Sequence, residues 1–257
     1  MTKLLGKRAL VTAGAQGIGL AISRHLLAAG CDVAVHYRTS GSAAEALTRE
    51  AAAMGRRCVA LDGDLTRTEA CDALVAAAVQ ALGGLDILIN NAGSLIARRA
   101  FAEADDEFWS QTIMLNVGSL RKVTRAAAPH LAAAAKTRGG ASIVNLSSLA
   151  GRKGGHAGSL AYSTAKGAVL TFTRALAAEL GPRGIRVNAL APGLILGTSF
   201  HDTHTTKQAA DATIATIPIG RAGNADDVAR AAVFLAGEFD GFITGATLDI
   251  NGGVYCA

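Results

Sequence analysis

Tyr162 and Lys166, in the run "YSTAK", are two side chains that together can hold and transfer a proton. A helical pattern over 160–180 places residues four apart on one face. An ammonium one turn from a phenol favours the phenolate, so we expect Lys166 to lower the pKa of Tyr162. Tyr162 would then serve as a general acid and base near neutral pH. A lone Tyr-x-x-x-Lys is usually a surface pair, so the neighbouring motifs must show whether this pair is catalytic.

Three further polar segments accompany this pair. "NLSSLAG" (145–151) supplies Ser147 and Ser148 at the end of a predicted strand, and "NNAG" (90–93) ends another. "LNVGS" (115–119) places Asn116 in mid-helix, where asparagine is a poor helix former. Because the carboxyl ends of parallel strands share one edge of a sheet, we expect these segments to border one ligand site.

The glycines of "TAGAQGIG" (12–19) lie between an apolar run and a helical pattern. Their spacing, G-x-x-G-x-G, is neither the dinucleotide fingerprint nor a P-loop. A turn between a strand and a helix still directs backbone N–H groups and a helix N-terminus at a phosphate. We therefore expect it to hold a pyrophosphate through Gly14, Gln16, Gly17, Ile18 and Gly19, with an empty glycine-rich turn as the alternative.

The end of the second predicted strand, "HYRTS" (36–40), indicates which dinucleotide would bind. A cofactor with a free ribose 2′-hydroxyl usually meets an acidic residue there, and this stretch has none. Arg38 supplies a fixed positive charge, and Thr39 and Ser40 supply hydroxyls, which suits a 2′-phosphate. The pattern favours NADP(H) over NAD(H), although Arg38 could also be an ordinary surface residue.

The elements that must position these residues follow from a regular alternation of patterns. Short runs apolar on both faces alternate with Ala/Leu-rich helical stretches, which is typical of a doubly wound parallel sheet of about seven strands in one α/β domain, 1–257. The predicted strands are 8–12, 32–37, 57–61, 85–90, 141–147, 185–190 and 247–250. The predicted helices are 17–29, 42–54, 67–82, 105–132, 160–180 and 225–236. The stretch 193–222 breaks the alternation, and we expect a substrate-binding loop there.

Composition excludes several other classes of protein. The formal net charge is +5, and the basic residues are scattered, with pairs such as Arg98-Arg99 as the tightest groups, so we expect no nucleic-acid partner. The four cysteines form no C-x-x-C pair and lack histidines at ligand spacing, so no metal site is expected. Neither a signal peptide nor an apolar run long enough for a bilayer is present, which predicts a cytoplasmic protein without membrane contact.

Taken together, the chain resembles the short-chain dehydrogenase/reductase family over essentially its whole length. The matching motifs occur in the family's order: "TAGAQGIG", "DGDLT" (62–66), "NNAG", "LNVG", the Ser…Tyr…Lys set and "RVNALAPG" (186–193). The resemblance implies a Rossmann-like fold and hydride transfer between a nicotinamide and a small-molecule carbonyl or alcohol. It also implies a homotetramer, formed through the helices near 105–130 and 160–180.

The resemblance also assigns roles to individual residues. Tyr162 would be the general acid and base, Lys166 would lower its pKa and bind the nicotinamide ribose, and Ser148 would hold the substrate oxygen. Asn116 would hold a water that links Lys166 to solvent. Further cofactor contacts are assigned to Asp64 and Leu65 at the adenine, to Asn91, Ala92 and Gly93 at the adenosine ribose and cofactor backbone, and to Pro192, Gly193 and Ile195 over the nicotinamide.

Three departures from the family pattern raise questions. Ala13 stands in the first glycine position, and we expect it to have a negative φ while Gly14 takes any positive φ. Ser148 lies fourteen residues before Tyr162 rather than thirteen, with Ser147 as the alternative if the intervening loop is shorter than it looks. Thr198 falls one position late, which leaves its cofactor contact open. Apart from these three departures, Gln16 replaces a basic residue common in NADP-preferring relatives, so Arg38 would carry the 2′-phosphate largely alone.

The substrate is the least constrained feature. The resemblance extends to 3-oxoacyl carrier-protein reductases, our first choice, to sugar or polyol dehydrogenases and, in part, to pteridine reductases. "NNAGSLIA" lacks the aromatic residue that would stack on a pterin. Substrate contacts are expected from 94–99, 151–159 and 193–215, with His201 and His204 more in keeping with surface positions. A non-catalytic dinucleotide sensor is the alternative from another class; such proteins typically lack the Tyr or the Lys.

Overall fold

The strands form one parallel sheet, in the computed structural model that describes residues 4–237 and 241–256. They are β1 (Arg8–Val11), β2 (Asp32–Tyr37), β3 (Cys58–Asp62), β4 (Ile87–Asn90), β5 (Ala141–Leu146), β6 (Ile185–Pro192) and β7 (Thr247–Ile250). Their spatial order is β3-β2-β1-β4-β5-β6-β7. The doubly wound Rossmann-like sheet expected from the sequence is confirmed, because every predicted strand is present.

Ten α-helices are present in the described part of the chain, and they cover both faces of the sheet. They are α1 (Gly17–Ala28), α2 (Gly41–Ala53), α3 (Thr68–Leu82), α4 (Asp106–Ile113), α5 (Ser119–Arg138), α6 (Leu149–Lys153), α7 (Leu160–Leu180), α8 (Ser199–His204), α9 (Lys207–Ile214) and α10 (Ala225–Ala236). The predicted helix 105–132 is α4 and α5 joined by a π-helical turn, Met114–Gly118. No helix of the described residues is long and apolar enough to cross a membrane.

Two apolar layers fix the position of the sheet. Ile22 and Leu26 of α1 pack with Val228 of α10 on one face, and the opposite face is covered by α3, α5 and α7. Every residue of β4 and β5 is buried, which is why those runs are apolar on both sides. Each fully buried Leu, Ile or Val contributes roughly 1.5–3 kcal/mol. The centre of the sheet is therefore a rigid base for whatever lies at its edge.

The strand order reverses around β1, and this reversal places the site. β1 pairs with β2 on one side and with β4 on the other, Val11 lying opposite both Val35 and Ile89. The connections leave β1 and β4 in opposite directions, which opens a crevice beyond their carboxyl ends. The glycine turn follows β1 at this crevice, and "NNAG" follows β4.

Candidate active site

A cleft of about 960 Å³ opens at the carboxyl edge of the sheet. It brings together most of the residues that the sequence singled out. From that set the lining includes Gln16, Gly17, Ile18, Asn91, Gly93, Ser147, Ser148, Tyr162, Lys166, Pro192, Gly193, Ile195 and Thr198. Two groups outside the lining, Arg38–Ser40 and Asp64–Leu65, follow β2 and β3 at the same edge.

Tyr162 and Lys166 lie on one face of α7, as their spacing predicts. The Lys166 Nζ lies 5.7 Å from the centroid of the Tyr162 ring and donates a 2.8 Å hydrogen bond to the carbonyl of Leu146. That bond ties the lysine to the end of β5. The Tyr162 ring also packs against Phe200 of α8, with 5.8 Å between ring centroids. Tyr162 is therefore held between the sheet edge and the helix that covers the cleft.

The two serines after β5 have different partners. Ser148 caps α6, where its Oγ accepts a 3.1 Å hydrogen bond from the Ala150 amide, and it also hydrogen-bonds the Tyr162 side chain. The Ser147 hydroxyl is buried and donates to the carbonyl of Lys166 at 2.7 Å. The geometry thus favours Ser148 over Ser147 as the partner of Tyr162, because the Ser147 hydroxyl is used in holding α7 to the sheet.

The pKa values differ from the sequence expectation in one respect. Burial raises the pKa of Tyr162 to about 12, and the hydrogen bond from Ser148 only partly opposes this. Burial also lowers the pKa of Lys166 to about 8. The prediction that Lys166 lowers the Tyr162 pKa is wrong for this arrangement, because loss of hydration penalises both charged forms and the ammonium is directed at Leu146. The phenol keeps its proton at neutral pH.

Asn116 lies in the π-helical turn, and its side chain is occupied by backbone groups. Its Oδ1 accepts from the Ser94 amide at 3.1 Å, and its Nδ2 donates to the carbonyls of Ser94 and Thr112 at 2.8 and 2.9 Å. A Cβ on Gly93 would lie 2.6 Å from this Oδ1 and 2.9 Å from the Lys166 Nζ. Only glycine leaves room for both side chains at this position. Asn116 thus fixes the loop after β4, and its water-binding role stays a prediction.

The glycine turn differs from the expected backbone. Ala13 has φ +48°, whereas Gly14 has no positive φ, so the expectation of a negative φ at Ala13 is wrong. A Cβ on Gly14 would lie 2.7 Å from the Cγ2 of Val35, so this glycine is required for packing against β2. The Ala13 conformation is held by His36, whose Nδ1 accepts from the Ala13 amide at 3.0 Å.

His36 is a buried residue of the site that the sequence analysis did not single out. Its Nε2 lies 3.0 Å from the Gly63 carbonyl, so the ring is neutral, accepts at Nδ1 and donates at Nε2. Its backbone carbonyl accepts from the Gly14 amide at 2.8 Å. Burial lowers the pKa of the ring, which preserves this neutral form. A histidine inside the apolar run "DVAVHY" was the sequence signal that could have revealed it.

At the helix end of the turn, Gly17 and Gly19 lie close to neighbouring residues of the protein. Gly17 begins α1 with φ +50°, and Thr198 lies 3.6 Å from the position of its missing Cβ, which places Thr198 across the cleft from the helix N-terminus. A Cβ on Gly19 would overlap the Ala13 carbonyl and lie 2.5 Å from the Nδ2 of Asn91. Gln16 accepts a 2.8 Å hydrogen bond from Ser40 and so joins the turn to the end of β2.

The remaining predicted cofactor residues fall into two groups. Arg38 and Thr39 are exposed beyond β2, and the pKa of the nearby Asp64 is lowered mainly by hydrogen bonds from Thr66, with a smaller contribution from Arg38. In contrast, Leu65 and Ile195 are buried in the apolar core, although Ile195 also lines the cleft. Asn91 and Ala92 bind Thr12 and stabilise the turn through those contacts.

These residues fit a dinucleotide. The N-terminus of α1 faces the cleft, the turn packs tightly against β2 and Asn91 because Gly14 and Gly19 lack Cβ atoms, and no acidic side chain occupies the end of β2 at 36–40. A pyrophosphate needs such a concave backbone surface. Arg38 with Ser40 offers charge and a hydroxyl where a 2′-phosphate would lie.

The other half of the cleft is formed by the three segments expected to contact substrate. These segments are 94–99, 151–159 and 193–215, and they contribute Arg98, His156 and Phe200 to the lining. Val254 of the C-terminal segment also lines this half. His204 also lines the cleft and packs edge-on against Phe200 at 5.3 Å between centroids, so the surface prediction is wrong for this residue. The His201 side chain lies outside the described residues.

Comparisons with known proteins agree with this geometry. The family profile described as "Enoyl-(Acyl carrier protein) reductase" matches residues 12–255. The chain is 40% identical to "Nodulation protein G" of Azospirillum brasilense over 96% of this chain and 98% of that protein. It is 39% identical to "Acetoacetyl-CoA reductase" of Rhizobium meliloti (strain 1021) over 98% of this chain and 100% of that protein.

Two solved structures carry a bound dinucleotide. A short chain dehydrogenase from Burkholderia cenocepacia J2315 in complex with NADP has a TM-score of 0.89 and 36% identity, covering 98% of this chain and 99% of that one. The NADH-dependent reductase A1-R′ complexed with NAD has a TM-score of 0.88 and 33% identity, covering 99% and 98%. The fold and the sequence are therefore shared along the whole length of both.

Proposed function

This chain belongs to the short-chain dehydrogenase/reductase family, and on that premise we propose that it is an NADP(H)-dependent ketoreductase acting on a 3-oxoacyl compound. One observation carries the proposal: Tyr162, Ser148 and Lys166 meet at the wall of a cleft whose other end suits a dinucleotide. The acetoacetyl-CoA reductases among the relatives support the substrate class. NAD(H) remains the alternative cofactor.

The proton chemistry follows from the three side chains. The cofactor, when bound, supplies the hydride. Tyr162 holds its proton at neutral pH, so its Oη donates to the oxygen of the carbonyl as negative charge develops there. Ser148 directs its hydroxyl at the same oxygen and stabilises that charge. Lys166, whose pKa of about 8 lies close to neutral, is positioned beside the ring to return a proton.

NADPH consumption in the presence of acetoacetyl-CoA, a sugar ketone and an oxidised pterin tests the proposal. We expect turnover of acetoacetyl-CoA and a loss on the order of 100-fold or more in kcat for Tyr162→Phe, because the proton donor is removed while the ring stays. Tight NADPH binding with no turnover of any carbonyl would instead indicate a dinucleotide sensor. Preferred turnover of the sugar or the pterin would show that the substrate is of that class rather than a 3-oxoacyl compound.

A further inference from the structure

The substrate half of the cleft has an unusual balance of charge. No Asp or Glu is present among the described residues that line the cleft, although Arg98 and Lys153 line it together with His156 and His204. A cleft lined by one sign of charge raises the local concentration of ligands of opposite charge. The lining therefore favours an anion.

Arg98 is held at the cleft by two neighbouring segments. Its guanidinium donates to the carbonyls of Ala157, at 3.2 Å, and His204, at 3.4 Å. Gly158, with φ +76°, would place a Cβ 3.0 Å from the Cβ of Arg98, so the chain there needs glycine to pack against the arginine. The charge also reaches His204, whose pKa is lowered by burial and then by Arg98. These contacts orient the guanidinium and leave further N–H donors available.

Each cleft cation differs from its neighbour in the chain. Arg99 forms an ion pair with Asp105 at 3.0 Å, and Arg152 pairs with Asp249 at 3.1 Å. Arg98 and Lys153 form no ion pair with any described residue. At both places one cation is paired with a carboxylate, and its neighbour in the cleft has no carboxylate partner in the described part of the chain.

Binding of the cofactor does not account for these two cations. The turn after β1 and the end of β2 are where the phosphates of a dinucleotide fit, and the polar contacts of Arg98 are with Ala157 and His204 instead. Lys153 ends α6, the helix that Ser148 begins. Both cations lie on the segments that form the substrate half of the cleft.

We propose, resting on the function proposed above, that this cleft selects carbonyl substrates that carry an anionic group, either a carboxylate or a phosphate. Arg98 is the principal binding residue, because a guanidinium offers two parallel donors to such a group. Lys153 adds a second, more mobile charge. The anion positions the carbonyl against Tyr162 and Ser148.

Two matched substrate pairs test this. Acetoacetate is compared with methyl acetoacetate for a carboxylate, and acetoacetyl-CoA with the acetoacetyl thioester of N-acetylcysteamine for phosphates. We expect Arg98→Gln to raise KM for the anionic member of at least one pair roughly 10-fold, with KM for its neutral partner unchanged. Lys153→Gln should have a smaller effect in the same direction. High salt should reduce the preference in the unmutated protein.

The controls separate charge at the cleft from charge on the molecule. Lys136→Gln removes an exposed cation at the end of α5 and should change neither pair. Arg98→Lys keeps the charge but loses the paired donors, so it should restore part of the anion preference, which a purely structural role would not predict. Circular dichroism melting of each variant identifies any that fails to fold.

The outcomes also distinguish this inference from the function on which it rests. Equal effects of Arg98→Gln on the anionic and neutral members of both pairs would overturn the inference while leaving the ketoreductase intact. If no carbonyl is reduced, the proposed function fails, and calorimetric titration of the same four compounds still decides the inference. Tighter binding of an anionic member, lost in Arg98→Gln, supports it; equal binding within both pairs refutes it.

Discussion

At the scale of the residue, neighbours of the same type have different partners and therefore different roles in the site. Ser148 contacts Tyr162, whereas Ser147 holds the Lys166 carbonyl, although the two hydroxyls are adjacent in sequence. In the same way, Arg98 lies at the cleft, whereas Arg99 forms an ion pair with Asp105. The local backbone sets which member of each pair faces the ligand.

The serine pair gives a prediction with an internal control. Ser148→Ala removes a hydrogen-bond donor to the developing oxyanion, and we expect kcat to fall on the order of 100-fold, with a modest fall in melting temperature because the N-cap of α6 is lost as well. Ser147→Ala removes a buried bond worth about 1 kcal/mol, and we expect a melting temperature lower by roughly 2–4 °C with kcat nearly kept. Steady-state kinetics and thermal melting of both variants measure this. The reverse pattern would exchange the roles of the two serines.

At the scale of the element, the turn after β1 is held by a side chain from the next strand. His36 contributes three hydrogen bonds, which join the turn at Ala13 and Gly14 to the segment after β3 at Gly63. Ala13 adopts a positive φ that costs an L-residue about 1 kcal/mol, so its amide needs this partner. The turn is therefore stable only as part of the sheet.

Replacement of His36 tests this support. His36→Leu leaves the Ala13 amide and the Gly63 carbonyl without partners, so we expect a lower melting temperature and weaker NADPH binding. His36→Asn offers an oxygen near the position of Nδ1 and should recover part of both losses. Thermal melting and calorimetric titration with NADPH provide the comparison, and equal behaviour of the two variants would show that the acceptor at Nδ1 is unimportant.

The same histidine predicts a pH dependence with a definite sign. Burial lowers its folded pKa below the unfolded value, so the fold favours the neutral ring, against the smaller opposing effects of Asp62 and Asp64. Its contribution to stability is complete above an unfolded pKa of about 6.5 and is lost as the pH falls through the folded pKa. As the pH falls below about 6.5, the melting temperature of the unmutated protein should decrease more steeply than that of His36→Asn.

Particular elements show what the sequence could and could not predict. Central strands such as β4 and β5 were predictable because they are apolar on both faces, a local property. The helices α8 and α9 inside 193–222 were not, because they cover the cleft rather than the core, and α9 buries only Ala210. Ala13 was predicted wrongly because its backbone depends on a hydrogen bond to His36, twenty-three positions away. Features that depend on contacts between distant parts of the chain could not be predicted from a local sequence pattern.

At the scale of the whole molecule, two expectations are still to be tested by experiment. The homotetramer stays a prediction: on α7, Ala161 and Ala165 are buried within the chain, whereas Ala168 is exposed. Cofactor choice stays a prediction too, since the net charge of +5 attracts either dinucleotide. Only the end of β2 can distinguish them.

Cofactor choice can be measured as a change in the stability of the entire fold, because a ligand that binds only the folded state raises its free energy of unfolding. We expect NADPH to raise the melting temperature more than NADH at equal concentration, because we predict that Arg38 and Ser40 bind the additional phosphate. Arg38→Asp should abolish the difference, since it repels the phosphate and offers an acceptor to a free 2′-hydroxyl. Arg49→Asp makes the same charge change on an exposed position of α2 and should preserve it. An equal or larger shift with NADH in the unmutated protein would overturn the assignment of NADP(H), and it would also mean that the arginine at the end of β2 serves the surface rather than the site.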